Sequence, residues 1–447
     1  MTLKSEQSRR TDFYIATFAG LLAFFVTVIR GIENTSIQDA KDYVVMATKM
    51  LNGWDFVIAN NEQFQRTIGF PFLIFSTFVA SSSQSLLLIK AIIAVSHGLS
   101  VLLLGRISKI VGLNRVLSTL LMIFFAIDPF LLISATDVQT EPLTTLIVIY
   151  WAYLYLTFDN RDFQNCIKIV FFTISGFLGI LIRPNIIVPL ALLSLLFVIK
   201  LFNNGAQKRW IAYSFATFLF LISIYEFVLY RIYGVFVFLS AQGGIGTLFT
   251  CKKELIPQYL GFASPSKNAE INLWVLNHLA IVIESIKISN PGISTGEIND
   301  ELFQIGISEC KNSPMSSAIT LFIKIISLWR PFTVFGAYSP TVFILSALIW
   351  IPLTSATIWF IAKKHSSRRL NEIKVFFVFL SLGFTISLLM TPTQIRHRVA
   401  FAEPFYWIFF IVFMGEFLKG KTAQAIGSKL RFDHKSFRGR NLSNRSN

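Results

Sequence analysis

Long runs of hydrophobic residues, separated by short polar turns, occupy most of the chain. A helix that crosses the hydrocarbon core of a bilayer needs roughly 20 apolar residues, and an isolated strand in lipid would leave its backbone groups unpaired. The pattern therefore predicts an all-α polytopic membrane protein with about ten transmembrane helices. The predicted spans are residues 12–30, 86–105, 116–134, 143–158, 168–183, 186–202, 210–232, 340–362, 373–391 and 399–418.

Two further apolar stretches are predicted to lie at the membrane surface rather than across it. Residues 69–80 are too few to span the hydrocarbon core. Residues 316–332 contain Lys324 and Arg330, which are better accommodated among lipid headgroups than in the middle of the bilayer. Both stretches are expected to form juxtamembrane helices on the non-cytoplasmic side.

The positions of Lys and Arg predict the orientation. Their clusters lie before the first span, in alternate loops and after the last span, and such clusters mark the cytoplasmic side of a multi-pass protein. Both termini are then cytoplasmic, and the large non-cytoplasmic loops are residues 31–85 and 233–339. We predict one transmembrane domain over residues 1–418 and a basic, disordered cytoplasmic tail over residues 419–447.

Composition agrees with a membrane protein. Of the 447 residues, 54% are hydrophobic and 14% are charged, whereas soluble domains carry about 25% charged residues. The net charge of +16 falls in the loops and the tail, so no basic face of the kind that binds nucleic acid is expected. Cys251 and Cys310 share the loop 233–339, where they either form a disulfide or remain free thiols.

Acidic residues near the predicted non-cytoplasmic ends of the spans are the first candidates for chemistry, since the sequence contains no GxxxxGK[ST], HExxH or GxSxG motif. Asp39 closely follows the first span. A carboxylate there could act as a general base at the membrane surface, or could instead cap the helix that begins at Ala40. Asp137 and Glu141 occupy the turn after the third span, as acceptor-binding carboxylates or as structural groups.

Basic residues on the same predicted side are the second group of candidates. Arg396, His397 and Arg398 form the last non-cytoplasmic turn, where the Arg side chains could bind a phosphate through paired charged hydrogen bonds or could reach to lipid headgroups. Lys90 and Arg183 lie near the non-cytoplasmic ends of the second and fifth spans. A charge so placed is either functional or extends to the interface.

Taken in order, these turns resemble those of the GT-C superfamily of lipid-dependent glycosyltransferases, and in particular the bacterial protein O-mannosyltransferase-like and aminoarabinose-transferase-like (glycosyltransferase family 39-like) proteins. The sequence departs from the family pattern at Ala40, where many relatives carry a second acid, at Ile68, where Pro is usual, and at His397, where Tyr is usual. The matching positions are Asp39, Tyr43, Ala47, Gly53, Arg66, Gly69-Phe70-Pro71, Glu141-Pro142, Arg183-Pro184, Arg396-His397-Arg398 and Glu403-Pro404.

The resemblance implies a GT-C fold with a non-cytoplasmic cavity, in a multi-pass protein of the cell membrane, as in a bacterial inner membrane. It implies an inverting transferase that moves a sugar from a polyprenyl-phosphate donor to a glycan, lipid or protein acceptor. Asp39 would be the catalytic base. The expected donor-phosphate ligands are Arg396, Arg398, Lys90 and Arg183. The expected acceptor-binding or supporting residues are Asp42, Tyr43, Arg66, Asp137, Glu141 and His397. Neither a nucleotide cofactor nor a metal site is implied.

A transporter or flippase of lipid-linked saccharides is the alternative function. It would use similar helices and similar basic residues. Transporters commonly contain inverted repeats and interrupted helices with charges deep in the bilayer. No repeat is evident in the sequence, and most charges lie at the ends of the predicted spans.

Overall fold

The computed structural model describes residues 2–35, 38–52, 67–158, 164–203, 208–233, 242–260, 264–331, 340–389 and 398–418, and every regular element within these ranges is helical. The predicted all-α class is therefore confirmed for that part of the chain. The helices are α1 (Thr2–Arg30), α2 (Gln38–Leu51), α3 (Gly69–Ser81), α4 (Leu87–Ile110), α5 (Arg115–Ile127), α6 (Pro129–Ser134), α7 (Glu141–Thr157), α8 (Gln164–Ile182), α9 (Ile187–Asn203), α10 (Lys208–Tyr233), α11 (Gln242–Leu248), α12 (Ile256–Leu260), α13 (Pro265–Ser289), α14 (Thr295–Asn312), α15 (Pro314–Trp329), α16 (Pro340–Ala362), α17 (Arg368–Leu389) and α18 (403–418).

Within the described residues, 5 helical segments are long and apolar enough to cross a membrane. Shorter apolar helices accompany them, among them α3 and α15, the two stretches predicted to lie at the membrane surface. Large apolar side chains on the outside of the bundle agree with a lipid environment. Phe215 and Phe220 of α10, for example, are 63% and 64% exposed. The five segments are Arg9–Arg30, Leu87–Ile110, Ser266–Ser289, Pro340–Ala362 and Arg368–Leu389.

The predicted span 116–134 is two helices rather than one. Helix α5 ends at Ile127, and α6 begins at Pro129. The cause is the Asp128-Pro129 dipeptide, since proline disfavours a helical conformation in the residue before it. Asp128 takes ψ 120° and its carboxylate accepts hydrogen bonds from the backbone N–H groups of Phe130 (2.9 Å) and Leu131 (3.1 Å). It thereby caps α6.

The basic ends of several helices lie together at one end of the bundle, here named the basic end. Lys109 near the end of α4 pairs with Asp12 in α1. Lys200 near the end of α9 pairs with Glu372 at the start of α17 (3.2 Å). Arg369 binds Glu372 as well (2.9 Å), and its Nη1 also donates to the backbone oxygen of the α7 residue Leu156 (2.5 Å). These contacts join the start of α1 to the end of α4, and the start of α17 to the ends of α7 and α9.

Residues 242–260 and 264–331, here called the 242–331 segment, contact the opposite end of the bundle through Thr250 and Lys324. We name this the Asp39 end. Cys251 and Cys310 form a disulfide within the segment with a Cα–Cα distance of 5.5 Å, which settles the alternative that the sequence left open. The Thr250 hydroxyl donates to the backbone oxygen of Leu389, the last residue of α17 (3.3 Å). Lys324 of α15 donates to the same oxygen, and burial lowers the pKa of Lys324 to about 7. These contacts attach the 242–331 segment to the end of a predicted span.

Helix α13 departs from the sequence interpretation. The whole of 233–339 was predicted to be a non-cytoplasmic loop, yet Ser266–Ser289 has the length and hydropathy of a membrane span. Its outward row includes Leu273 and Leu276, which are 60% and 64% exposed. Polar residues such as Asn277 and His278 lower the mean hydropathy of this stretch, so it was not recognised as a possible span from the sequence.

Candidate functional site

Helix α2 carries Asp39 and is held by its apolar face. Ala40, Tyr43 and Ala47 are buried one below the other on this face, as the helical period requires. The Tyr43 ring meets the ring of Phe70 from α3 edge-on, with the centroids 4.9 Å apart. The same apolar cluster includes Val138 from the turn between α6 and α7. Of the positions that carried the family resemblance, Tyr43, Ala47 and Phe70 therefore meet in one cluster.

Asp39 lies in the first turn of α2 and is half-buried. Its neighbour Ala40 is fully buried in the cluster that also contains Ala135 and Val138. Ala135 and Val138 lie on either side of Asp137 in the sequence. The Asp137 side chain is buried, and its Oδ1 accepts a hydrogen bond from the backbone N–H of Val138 (2.8 Å). Asp39 and Asp137 are therefore each next in the sequence to a buried residue of the same apolar cluster. Asp42, one turn beyond Asp39, is also half-buried.

Lys90 lies close to this acidic turn but is not open to solvent. Its residue is 1% exposed, and Nζ donates to the backbone oxygens of Asn34 (2.7 Å) and Gly31 (3.4 Å). The charges of Asp137, Arg30 and Glu33 all act on it. The sequence prediction for Lys90 was a donor-phosphate ligand. In the structure its ammonium is bound to the backbone just after α1.

Glu141 and Arg183 form a buried ion pair. Arg183 Nη1 lies 3.4 Å from Glu141 Oε1, and the side chains are 9% and 6% exposed. Glu141 begins α7 and Arg183 follows α8, so the pair joins two helices at the Asp39 end. The acid before Pro142 and the base before Pro184 were matched to the family separately, and the structure brings them together.

Gly69 explains how α3 approaches the same place. A Cβ at this position would lie 2.5 Å from the backbone oxygen of Leu181 in α8, so a side chain does not fit. The neighbouring Thr67 hydroxyl donates to the backbone oxygen of Ile182 (3.5 Å). The start of α3 therefore packs directly against the end of α8, next to Arg183.

Arg398 is enclosed completely. Its residue and that of Glu403 are both 0% exposed, and Arg398 Nε lies 3.2 Å from Glu403 Oε1. Nη1 donates to the backbone oxygen of Arg330 (2.5 Å), and the guanidinium lies over the Trp350 ring at 4.7 Å. The sequence prediction was a donor-phosphate ligand. In this structure the contacts of Arg398 are internal, and they attach the start of the last helix to the 242–331 segment.

Four of the sequence-predicted positions lie outside the described residues: Gly53, Arg66, Arg396 and His397. Within the described ranges, no group of three His, Cys, Asp or Glu side chains gathers as a metal site would require.

The sequence reasoning missed two residues near the site. Glu33 accepts a hydrogen bond from the backbone N–H of Leu86 at the start of α4. Arg30 Nη1 donates to the Thr136 hydroxyl (2.5 Å). Arg30 ends the first span and Glu33 follows it closely, and a base and an acid at such a position were the available signal.

The fold is similar to that of an archaeal oligosaccharyltransferase. The solved structure of the archaeal oligosaccharyltransferase AglB from Archaeoglobus fulgidus, in complex with an inhibitory peptide and a dolichol-phosphate, has a TM-score of 0.50, 12% identity, and coverage of 94% of this chain. The apo crystal structure of the Archaeoglobus fulgidus oligosaccharyltransferase has a TM-score of 0.51, 12% identity and coverage of 93%. The chain spans 52% of each of these proteins. No family model and no curated protein matches the sequence.

Proposed function

We propose that this protein is an inverting glycosyltransferase that moves a sugar from a polyprenyl-phosphate donor to an acceptor on the non-cytoplasmic side of the membrane. The acceptor is a glycan, a lipid or a protein. The donor's polyprenyl chain stays in the bilayer, and its phosphate and sugar reach the Asp39 end. The proposal extends the fold similarity with the chemistry of the residues gathered there.

The reaction is a single displacement at the anomeric carbon. Asp39 accepts the proton of the acceptor hydroxyl or amine, whose lone pair forms the new bond to the anomeric carbon. The bond from that carbon to the phosphate oxygen breaks at the same time, and its electron pair stays on the phosphate. No general acid is required, because cationic side chains stabilise the phosphate as it leaves. We assign this role to Arg396.

The observation that carries the proposal is the position of α2. Its buried residues Ala40, Tyr43 and Ala47 belong to the same apolar cluster as Ala135 and Val138, which lie on either side of Asp137 in the sequence, on a fold similar to that of an archaeal oligosaccharyltransferase. A half-buried carboxylate a few residues after a predicted span is suited to take a proton from an acceptor at the membrane surface. Asp137 would orient the acceptor or Asp39, and Glu141 would support the site through its pair with Arg183.

A sugar-transfer assay with polyprenyl-phosphate sugars in membranes tests the proposal. Asp39→Asn keeps the size of the side chain and removes the base, so we expect transfer to fall by about 100-fold or more, in the range of a lost general base. Asp300→Asn is the matched control, since Asp300 is an exposed acid of α14 away from the cluster. Full transfer by Asp39→Asn at matched expression would exclude Asp39 as the base.

Transport of a lipid-linked saccharide is the second candidate, and one observation favours it. The predicted third span is interrupted at Asp128, a buried acid, and interrupted helices with buried charges are common in transporters. The same membranes distinguish the two functions. Lipid-linked sugar that crosses sealed vesicles without formation of a new glycosidic bond would support transport over transfer.

A further inference from the structure

The short loop that joins α1 to α2 is fastened to the first turn of α4 from both sides. We propose that Glu33 and Lys90 form a reciprocal clamp that positions Asp39, so that Lys90 is a positioning residue for the base and not a ligand of the donor phosphate. The inference rests on the proposed function as far as the role of Asp39 is concerned. The clamp itself rests on the contacts alone.

Lys90 provides one half of the clamp. Its Nζ reaches from the first turn of α4 to the backbone oxygens of Asn34 (2.7 Å) and Gly31 (3.4 Å). Gly31 has φ +92°, a conformation that other residues rarely adopt, and the chain turns sharply there after α1. The ammonium therefore binds two carbonyls of one tight turn, and hydrogen bonds from a charged donor are stronger than neutral ones.

Glu33 provides the other half. This residue lies in the loop, and both of its carboxylate oxygens lie 3.3 Å from the backbone N–H of Leu86 at the start of α4. Oε1 also accepts a hydrogen bond from the Ser85 hydroxyl (2.7 Å). A carboxylate at this position satisfies a free N–H group of the helix and interacts favourably with the positive end of its dipole.

In each half of the clamp, a charged side chain of one partner binds the backbone of the other. The loop supplies an anion to the α4 backbone, and α4 supplies a cation to the loop backbone. Arg30 adds a third attachment through the Thr136 hydroxyl, which lies next to Asp137. The last described residues before α2 are thus fixed to both α4 and the acidic turn, and Asp39 follows a few residues later in the first turn of α2.

This arrangement explains why Lys90 is buried at 1% exposure. A lysine that served a mobile lipid phosphate would need to present its ammonium to an open cleft. Here the ammonium binds backbone oxygens of the loop that precedes α2. Its loss would release the Gly31 and Asn34 carbonyls from α4 while leaving the Glu33 contacts in place.

Spin labels test the clamp without any assay of activity. Lys41→Cys places one label on the exposed face of α2, and Val116→Cys places another on α5, near the basic end, in a Cys166→Ser background. We expect a wider or displaced distance distribution in Lys90→Met and in Glu33→Gln, compared with the labelled parent. Lys374→Met is the control, because Lys374 also donates to two backbone oxygens, those of Ile361 (2.7 Å) and Lys363 (2.9 Å), at the other end of the bundle.

Steady-state sugar transfer gives the second readout. Misplacement of a catalytic group by about 1 Å can reduce the rate about 100-fold, so we expect Lys90→Met to lower kcat by about 10- to 100-fold with little change in the KM of the donor. Because Glu33 and Lys90 hold the same loop, the double variant should be about as active as Lys90→Met alone. Glu33 is exposed, so Glu33→Gln tests the clamp without a buried substitution.

Two results would overturn the inference. Unchanged label distances in both Lys90→Met and Glu33→Gln would show that the contacts do not fix α2. A raised donor KM with unchanged kcat in Lys90→Met would instead make Lys90 a donor ligand. A wild-type protein without transferase activity would reject the proposed function, while the label distances would still decide whether the clamp exists.

Discussion

Replacement of Arg183 by Met gives a direct measure of what the buried pair with Glu141 contributes. Arg183 Nη1 lies 3.4 Å from Glu141 Oε1, and both side chains are at least nine-tenths buried. The substitution keeps an apolar side chain of similar length and removes the charge. It leaves the Glu141 carboxylate buried without its cation.

The magnitude follows from the geometry. Two unit charges 3.4 Å apart attract by about 5 kcal/mol at an effective dielectric constant of about 20. Desolvation of both groups offsets much of this attraction, so the pair itself stabilises the fold little. Removal of one partner alone is different, because the remaining charge stays buried, and typically costs about 3–5 kcal/mol. We expect a loss of that size in Arg183→Met, and a much smaller loss in Arg183→Met with Glu141→Gln.

Thermal unfolding in detergent, followed by tryptophan fluorescence, measures these differences as a double-mutant cycle. Lys252→Met is the control, since the Lys252–Glu309 pair is partly exposed (16% and 37%) and its loss should cost about 1 kcal/mol or less. If Arg183→Met is as stable as the wild type, or if the double variant is no more stable than Arg183→Met, the buried pair does not exist as described.

Two further predictions concern the 242–331 segment. Burial lowers the pKa of Lys324 from 10.5 to about 7, so between these pH values the folded state binds fewer protons than the unfolded state and the free energy of unfolding rises with pH. Lys324→Met should remove this pH dependence. An equal gain in melting temperature from pH 6 to pH 9 in the wild type and in Lys324→Met would contradict the prediction. Replacement of both Cys251 and Cys310 by Ser removes the disulfide that closes a loop with a sequence separation of 59, and should destabilise this segment by about 4 kcal/mol. Chymotrypsin should then cleave the segment faster than in the wild type. An unchanged cleavage rate would contradict this prediction.

The sequence predicted the helical class and most helix positions because lipid permits few alternatives. A continuous apolar run in a bilayer must pair its backbone internally, and Lys and Arg clusters then order the helices by direction. Residues 340–362 form the predicted helix without a shift at either end. The interruption at Asp128 was missed because the apolar run continues on both sides of it. The Asp-Pro dipeptide was the available signal.

The site was predicted in its residue types more than in its contacts. Glu141 and Arg183 were both named, but as separate ligands, because a sequence does not show that the ends of α7 and α8 meet. Lys90 was assigned to phosphate because a basic residue near a membrane interface has several possible partners. Every residue has a backbone carbonyl, so a sequence does not show which carbonyls a lysine binds. The hydrogen bonds from Lys90 to the oxygens of Gly31 and Asn34 are visible only in the structure.

The proposed reaction requires a lipid phosphate to bind at the Asp39 end of the bundle. A structure determined by electron cryomicroscopy, with polyprenyl phosphate added to the protein in nanodiscs, would locate that phosphate. We expect phosphate density beside α2, within reach of Asp39 and of the turn that contains Asp137. Phosphate density at the basic end instead, beside Lys200 and Arg369, would contradict it.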